Sequence, residues 1–145
     1  MAFANESGEL LTNLKLQKLV FYAQAWFLAN YKAPLFDENF QAWVHGPVLP
    51  SLYKKYKDNG YKPISSDVKM EDMAKKIPED IFSYLKEVAE VYMRYNAYEL
   101  ELMTHNEAPW LDARGDIEPD TRCEVEISKD SMIHFYGEKA NNSGK

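Results

Sequence analysis

The sequence predicts a mainly α-helical fold, a compact single domain with a small accessory β-hairpin. Two stretches, 14–28 and 81–95, carry apolar residues at three- and four-residue steps, which is the spacing of helices with a buried face. Between them, residues 40–45 place apolar side chains at alternate positions, as a strand with one buried face does. A chain of 145 residues with 46% hydrophobic residues is long enough to bury one core. We therefore expect one domain, at residues 10–137.

The first long helix is predicted to begin near Thr12 or Asn13, either of which can cap it, and to end before Pro34. Its apolar stripe is wide, which places the helix at the centre of the core. We expect its polar side to consist of Lys15, Gln17, Lys18 and Gln24. The polar residues that precede it, 1–9, are expected to form a flexible lead-in.

A strand pair is expected within residues 35–44, followed by a rigid corner and a short helix. Gly46 permits backbone angles that are closed to other residues, and Pro47 fixes φ near the value of a turn or a first helical position. The short helix is predicted at 49–58, where an Asn-Gly pair ends it.

The second half of the chain alternates connections with helices. Residues 61–76 are polar and indicate a mobile connection that contains a helical turn, after which Pro78 begins the second long helix. The remaining predicted elements are a helix at 96–104, a short helix opened by Pro109, a strand at 123–127 and a last helix at 128–136. Residues 138–145 are expected to form a disordered tail.

Composition narrows the class of protein. The net charge of −6 opposes nucleic acid as the default partner, because phosphate binding depends on clustered Lys and Arg. A single cysteine rules out an internal disulfide framework and fits a reducing compartment. No apolar run is long enough to span a bilayer. We expect a cytoplasmic protein that contacts no membrane.

Residues that could carry chemistry are scattered along the chain. Cys123 is the only thiol, and the histidines are distant from it in sequence, which favours a structural cysteine over a Cys-His nucleophile. His105 and Glu107 offer two metal ligands on a loop, but no second pair accompanies them, and an exposed loop histidine is the commoner case. We therefore expect no catalytic residue, no cofactor and no metal site.

Several aromatic and histidine side chains are candidates for contact with a partner. His45, beside a Gly-Pro, can act as a general base, a pH-sensitive contact or a helix cap, and a capping or packing role is commonest. Trp110 either fills the core or contacts a partner, and the core is favoured. The candidate partner-binding residues are Trp43, His45, Tyr53, Tyr56, His105, Glu107 and Trp110.

Charge is unevenly distributed along the chain. Residues 53–62 combine four lysines with three tyrosines, a composition that can grip nucleic acid. The net negative charge favours instead a solvated helix face whose tyrosines point inward. Residues 99–126 carry nine acidic residues against two arginines, which suits a protein partner with a basic surface.

Six blocks of sequence stand out as a series: 14–26 (LKLQKLVFYAQAW), 34–38 (PLFDE), 41–48 (QAWVHGPV), 53–56 (YKKY), 105–114 (HNEAPWLDAR) and 127–136. Together they resemble the Panacea antitoxin domain family, which includes SocA-like antitoxins and GepA-like phage-associated proteins. The resemblance covers Leu10 to about Tyr136 in order. One departure is the short, polar segment 1–8, where many relatives have a longer amphipathic helix.

The resemblance implies a protein that binds and neutralises a cognate toxin, is encoded beside it, and is frequent in prophages and other mobile elements. In the SocA case it also implies a proteolytic adaptor that delivers the toxin to a Clp-type protease. The family pattern supplies no agreed catalytic residues, which fits a protein that is not an enzyme.

Two alternatives from other classes remain. One is a hydrolase-like enzyme that uses His45 with Glu107 or Asp112, which would require a deep polar cleft joining those residues. The other is a DNA-binding regulator that uses the lysine-tyrosine segment 54–61, whose retention on DNA would depend strongly on salt.

Overall fold

The computed structural model describes the backbone of residues 1–143 and the side chains of residues 1–141. This part of the chain is mainly α-helical with one small antiparallel sheet, as predicted. The elements are α1 (Ala2–Ser7), α2 (Asn13–Tyr31), β1 (Gln41–Trp43), β2 (Gly46–Val48), α3 (Pro50–Tyr56), α4 (Met70–Lys76), α5 (Glu79–Tyr92), α6 (Ala97–His105), α7 (Ala108–Arg114) and α8 (Lys129–Ser143). A short 3₁₀ turn, Lys57–Asn59, extends α3.

Helix α2 lies at the centre of the molecule. Helices α3, α5, α6 and α8 and strand β2 all contact it. The Thr12 hydroxyl accepts a hydrogen bond from the backbone N–H of Lys15 at 3.2 Å and so caps its first turn. Phe21, Tyr22 and Leu28 are among its fully buried side chains. The predicted central helix and its cap are confirmed.

The predicted polar side of α2 is wrong, because all four of its residues are buried. Three of them, Lys15, Gln17 and Gln24, bond to backbone groups outside α2, whereas the Lys18 amine bonds to a carbonyl oxygen within it. The Lys15 amine donates to the carbonyl oxygen of Met93, just beyond the end of α5, at 2.6 Å. The Gln24 amide accepts from the N–H of Leu35 at 2.8 Å and donates to the carbonyl oxygen of Phe36 at 2.9 Å. These polar side chains hold the loops and helix ends that surround α2.

The two-stranded sheet lies later in the chain than the strand pair expected within residues 35–44. Strands β1 and β2 pair with Ala42 opposite Pro47, and Val44 and His45 form the turn between them. The expected pairing is therefore wrong. Its physical reason is the pair of hydrogen bonds from Gln24, which fixes residues 35–36 against α2 instead of in a strand.

Gly46 begins β2, so the predicted corner lies inside the hairpin. Its φ of 110° is in the region that favours glycine. A Cβ at this position would lie 3.0 Å from the hydroxyl of Thr104 and 3.3 Å from Cε of Lys18. The hairpin can approach α2 and α6 this closely only because residue 46 has no side chain.

The predicted strand at 123–127 is reduced to an extended segment that pairs with the other edge of β1. The N–H of Ala42 donates to the carbonyl oxygen of Val125 at 2.8 Å. The N–H of Ile127 donates to the carbonyl oxygen of Phe40 at 2.7 Å. Strand β1 thus has neighbours on both sides, which fixes its backbone.

Helices occupy both ends where flexible segments were expected. In place of the flexible lead-in at 1–9, α1 buries Ala2 and Ala4, and the amide of Asn5 donates to two carbonyl oxygens of residues 66–68. In place of the disordered tail, α8 continues through residue 137 to its end at Ser143. Residues 144–145 lie outside the described part of the chain. No helix within residues 1–143 is long and apolar enough to cross a membrane.

Candidate partner-binding site

A surface groove of about 580 Å³ lies beside the β-hairpin. Residues of four segments line it: 13–17 of α2, 43–48 of the hairpin, 53–61 of and after α3, and 122–124. We call it the hairpin groove. Most of the lining surface is apolar. It brings together Trp43, His45 and Tyr53, three of the candidate residues.

Aromatic side chains form much of this groove. The rings of Trp43 and Tyr53 meet edge to face, with centroids 4.9 Å apart and planes at 63°. The indole N–H of Trp43 donates to the side-chain oxygen of Gln41 at 2.8 Å. Tyr61 is 91% exposed and Leu14 is partly exposed. Large apolar side chains in water beside a concave surface are typical of partner contacts.

Cationic side chains lie at the edge of the groove. Lys57 and Arg122 are both exposed, and the guanidinium of Arg122 is 3.9 Å from the carboxylate of Glu124. The His45 side chain is 68% exposed, and its Nδ1 is 3.1 Å from Oε1 of Glu101. The Arg122–Glu124 pair is weak because both side chains are exposed and water screens them. Arg122 can therefore exchange Glu124 for another carboxylate.

A buried cation, Lys18, lies under the hairpin. Its side chain is fully buried, and its amine makes one long hydrogen bond, 3.5 Å, to the carbonyl oxygen of Leu14. Burial lowers the pKa of Lys18 to about 8, and the nearby Glu101 carboxylate opposes the shift. The position of Gly46 against the Lys18 side chain brings this charge directly beneath strand β2.

A stack of three side chains supports the hairpin from behind. The imidazole of His105 lies on the indole of Trp110, with centroids 4.1 Å apart, and the guanidinium of Arg114 is 5.0 Å from the same indole. Trp110 is buried and donates to the carbonyl oxygen of Trp43 at 2.8 Å. Arg114 donates to the carbonyl oxygen of Ala42 at 2.9 Å. Both bonds fix the backbone of β1.

His105 is half-buried in the last turn of α6, and the interpretation as an exposed loop histidine is wrong. Burial lowers the pKa of His105, although the nearby Glu101 carboxylate and a hydrogen bond with the backbone of Val44 oppose the shift. Within the described residues its Nε2 is buried without a hydrogen-bond partner. The stack therefore favours a neutral imidazole with a packing role.

Glu107 is buried against the middle of α2. Its Oε1 accepts hydrogen bonds from the hydroxyls of Tyr22 at 2.7 Å and Tyr136 at 2.8 Å. The amine of Lys139 lies 3.5 Å from Oε2. Burial raises the pKa of both tyrosines, so they remain neutral donors to the carboxylate. Tyr92 stacks on Tyr22 at 4.2 Å and completes this tyrosine cluster.

The sequence of residues 16–111 matches the family described as "Antitoxin SocA-like, Panacea domain". The chain belongs to this family. It is also similar to the antitoxin SocA of Caulobacter vibrioides (strain NA1000 / CB15N), with 30% identity over 109 residues. The aligned region covers 69% of this chain and 58% of that relative, so the chain spans a little over half the length of the curated relative. No solved structure matches. The resemblance to SocA-like Panacea antitoxins is confirmed over residues 16–111.

The fold places three of the seven candidate residues in the hairpin groove and three in the interior, and Tyr56 belongs to neither set. Trp43, His45 and Tyr53 line the hairpin groove. Tyr56 is half-buried on α3 with the amine of Lys55 5.6 Å from its ring, and it does not line the groove. The interior holds the three others: His105, Glu107 and Trp110.

The proposed catalytic pairing finds no support in the geometry. His45 lies beside Glu101, and the groove that it lines includes neither Glu107 nor Asp112. Glu107 instead binds tyrosine hydroxyls in the interior, and Asp112 is exposed on α7. Among the residues that the structure describes, no three His, Cys, Asp or Glu side chains gather as metal ligands would.

Sequence reasoning missed several groove residues because they come from separate segments. Leu14 begins the apolar stripe predicted for the first long helix, Tyr61 lies in the predicted connection 61–76, and Arg122 precedes the predicted strand 123–127. The available signal for Tyr61 was its place in the lysine-rich segment 53–62, and the expectation that the tyrosines of this segment point inward is wrong for Tyr61, which is exposed. No pattern in the sequence indicated that Lys18 is buried under the hairpin.

Proposed function

We propose that this Panacea domain is an antitoxin that binds a protein toxin and blocks it by occlusion. The observation that carries the proposal is the family match over residues 16–111. The hairpin groove supports it, since an apolar, aromatic groove with exposed charges at its edge suits protein binding.

The cognate toxin is expected to be the product of the neighbouring gene, in a prophage or another mobile element, and the complex to form in the cytoplasm. The candidate residues for toxin contact are Trp43, His45 and Tyr53. Delivery of the toxin to a Clp-type protease is a second possible outcome of binding. The function needs no catalytic residue, because occlusion requires only a stable complex.

Coexpression tests the proposal. The neighbouring gene product is induced in a bacterial host alone and together with this chain, and growth is followed. We expect growth arrest from the product alone, rescue by this chain, and a complex that copurifies. A product that is harmless alone, or that stays toxic while the two proteins copurify, would show that the proposal is wrong.

Protease delivery is tested in the same cells. The half-life of the toxin is measured with and without this chain, in a host with Clp proteases and in a host that lacks them. Occlusion predicts rescue with an unchanged toxin half-life in both hosts. Rescue that disappears in the host without Clp proteases would identify delivery as the mechanism.

A further inference from the structure

We propose that the hairpin groove receives an acidic segment of the toxin that carries at least one large apolar side chain. This inference rests on the proposed function and specifies the chemistry of the partner at this site. Three features of the groove indicate this partner: its apolar floor, the cations at its edge, and the hydrogen bonds that hold the hairpin in place from the interior.

The floor of the groove suits an apolar anchor. Trp43 and Tyr53 present ring edges and faces to the same space, and most of the lining surface is apolar. Tyr61 at 91% and Leu14 at 36% exposure leave apolar surface in water at the margin. A leucine or aromatic side chain of the partner would remove this surface from water, which is the usual contribution of an interface anchor.

The edge of the groove suits an acidic partner. Lys57 and Arg122 line it, and the neighbouring Lys54 and Lys62 are exposed in the same lysine-rich segment. The one acidic residue that lines the groove, within the described part of the chain, is Glu124, whose contact with Arg122 is long and exposed. This cationic region is local in a chain of net charge −6. A carboxylate of the partner can replace Glu124 at the guanidinium and gain a closer, bidentate contact.

The hairpin is held in place before any partner binds. Trp110 and Arg114 donate hydrogen bonds to the backbone oxygens of Trp43 and Ala42 from the interior. The segment 125–127 pairs with the other edge of β1. Binding therefore does not have to order the strand that carries Trp43. A preformed groove avoids this entropy cost, and the affinity for the partner is higher.

The same geometry favours a protein segment over nucleic acid. The rings of Trp43 and Tyr53 meet at 63°, so they form no parallel slot for a base. The partner chemistry that satisfies both the floor and the edge is an acidic peptide segment with an apolar side chain.

Charge reversal tests the edge. Lys57→Glu combined with Arg122→Glu is compared with Lys75→Glu combined with Lys76→Glu, a matched change on the exposed face of α4. The probe is the purified toxin that coexpression identifies. We expect the groove variant to lose about tenfold or more in affinity, and the control to stay close to the unchanged chain. Circular dichroism and thermal unfolding verify that both variants fold.

Photo-crosslinking tests the floor independently of any loss of charge. p-Benzoylphenylalanine replaces Tyr61 in one variant and Tyr98, an exposed tyrosine on α6, in the control. We expect crosslinking to the toxin from position 61 only, and a crosslinked toxin peptide that is acidic and contains a large apolar residue.

The outcomes separate the two proposals. If the unchanged chain does not neutralise the toxin, the antitoxin proposal fails. If it neutralises but the groove variant binds equally well, or position 61 crosslinks to nothing, the groove proposal alone fails. A basic crosslinked peptide, or crosslinking to nucleic acid in its place, likewise overturns the inference.

Discussion

Replacing Lys18 by methionine should stabilise the domain. The lysine is fully buried, and its amine makes one hydrogen bond of 3.5 Å to a backbone oxygen. The drop in its pKa from 10.5 to about 8 is equivalent to about 3 kcal/mol against the charged form. Methionine keeps an unbranched side chain of similar length without the charge. We expect Lys18→Met to raise the free energy of unfolding by about 2 to 3 kcal/mol at neutral pH.

The stabilisation expected from Lys18→Met depends on pH. In the unfolded chain the amine keeps its proton up to about 10.5, whereas in the folded domain it loses the proton near 8. The unfolded state therefore binds more protons between these values, and the contribution of Lys18 to stability rises with pH across this window. Below about 8 the penalty is fully present. The advantage of Lys18→Met should be largest at neutral pH and shrink as pH approaches 10.5.

Urea unfolding at neutral pH and again near pH 10.5 measures the stability difference between Lys18→Met and the unchanged chain, and how this difference changes with pH. Lys15→Met is the matched control, because the buried Lys15 amine donates a short hydrogen bond of 2.6 Å to the Met93 carbonyl oxygen. This control should lose about 1 to 3 kcal/mol. The reasoning is refuted if Lys18→Met destabilises the domain at neutral pH, or if its difference from the unchanged chain is the same at both pH values.

Three other substitutions test how the interior holds the hairpin and α2. Trp110→Ala should lose about 3 to 5 kcal/mol in denaturant unfolding, and a loss below about 1 kcal/mol would contradict its place in the core. Gly46→Ala should lower the free energy of unfolding by about 2 kcal/mol or more, because φ is 110° and the new Cβ would lie 3.0 Å from the Thr104 hydroxyl. Gly60→Ala is the control and should lower it less, because its φ is also positive but no atom lies within 4 Å of the new Cβ. Glu107→Gln should lower the unfolding free energy by about 2 kcal/mol, since a neutral amide replaces the charged acceptor of two tyrosine hydroxyls, and an unchanged melting temperature would contradict that role.

The helices were predictable because their signals are local. Thr12 supplies a cap, Pro78 stands just before α5, and helical spacing continues through both long helices. The strand pair was predicted too early in the chain because the position of the hairpin depends on contacts with residues distant in sequence. Gln24 fixes the loop that was assigned to a strand, and Gly46 fits where Thr104 leaves no room for a side chain.

The burial of polar residues on α2 could not be predicted from periodicity. Spacing indicates which residues share a face of a helix, but it does not reveal that several elements surround that helix. Lys15 and Gln17 are buried because each has a backbone partner on another element, at Met93 and Leu49. Such bonds compensate for burial and are visible only after folding.

Only a minority of the residues that line the hairpin groove were predicted as candidates for partner contact. Trp43, His45 and Tyr53 lie near one another in sequence, and the hairpin and α3 bring them to one groove. Trp110 acts on the groove from the interior through its bond to the backbone of residue 43. The contribution of Arg122 required tertiary structure, because its segment is remote in sequence.

The most direct test of an antitoxin that acts through the hairpin groove is growth rescue in cells that express the toxin. The unchanged chain and the Lys75→Glu, Lys76→Glu control should restore growth, while Lys57→Glu with Arg122→Glu should restore it poorly although the protein is folded and equally abundant. Equal rescue by all three would contradict the role of the groove. Continued growth arrest with the unchanged chain, at equal abundance of both proteins, would contradict the antitoxin function itself.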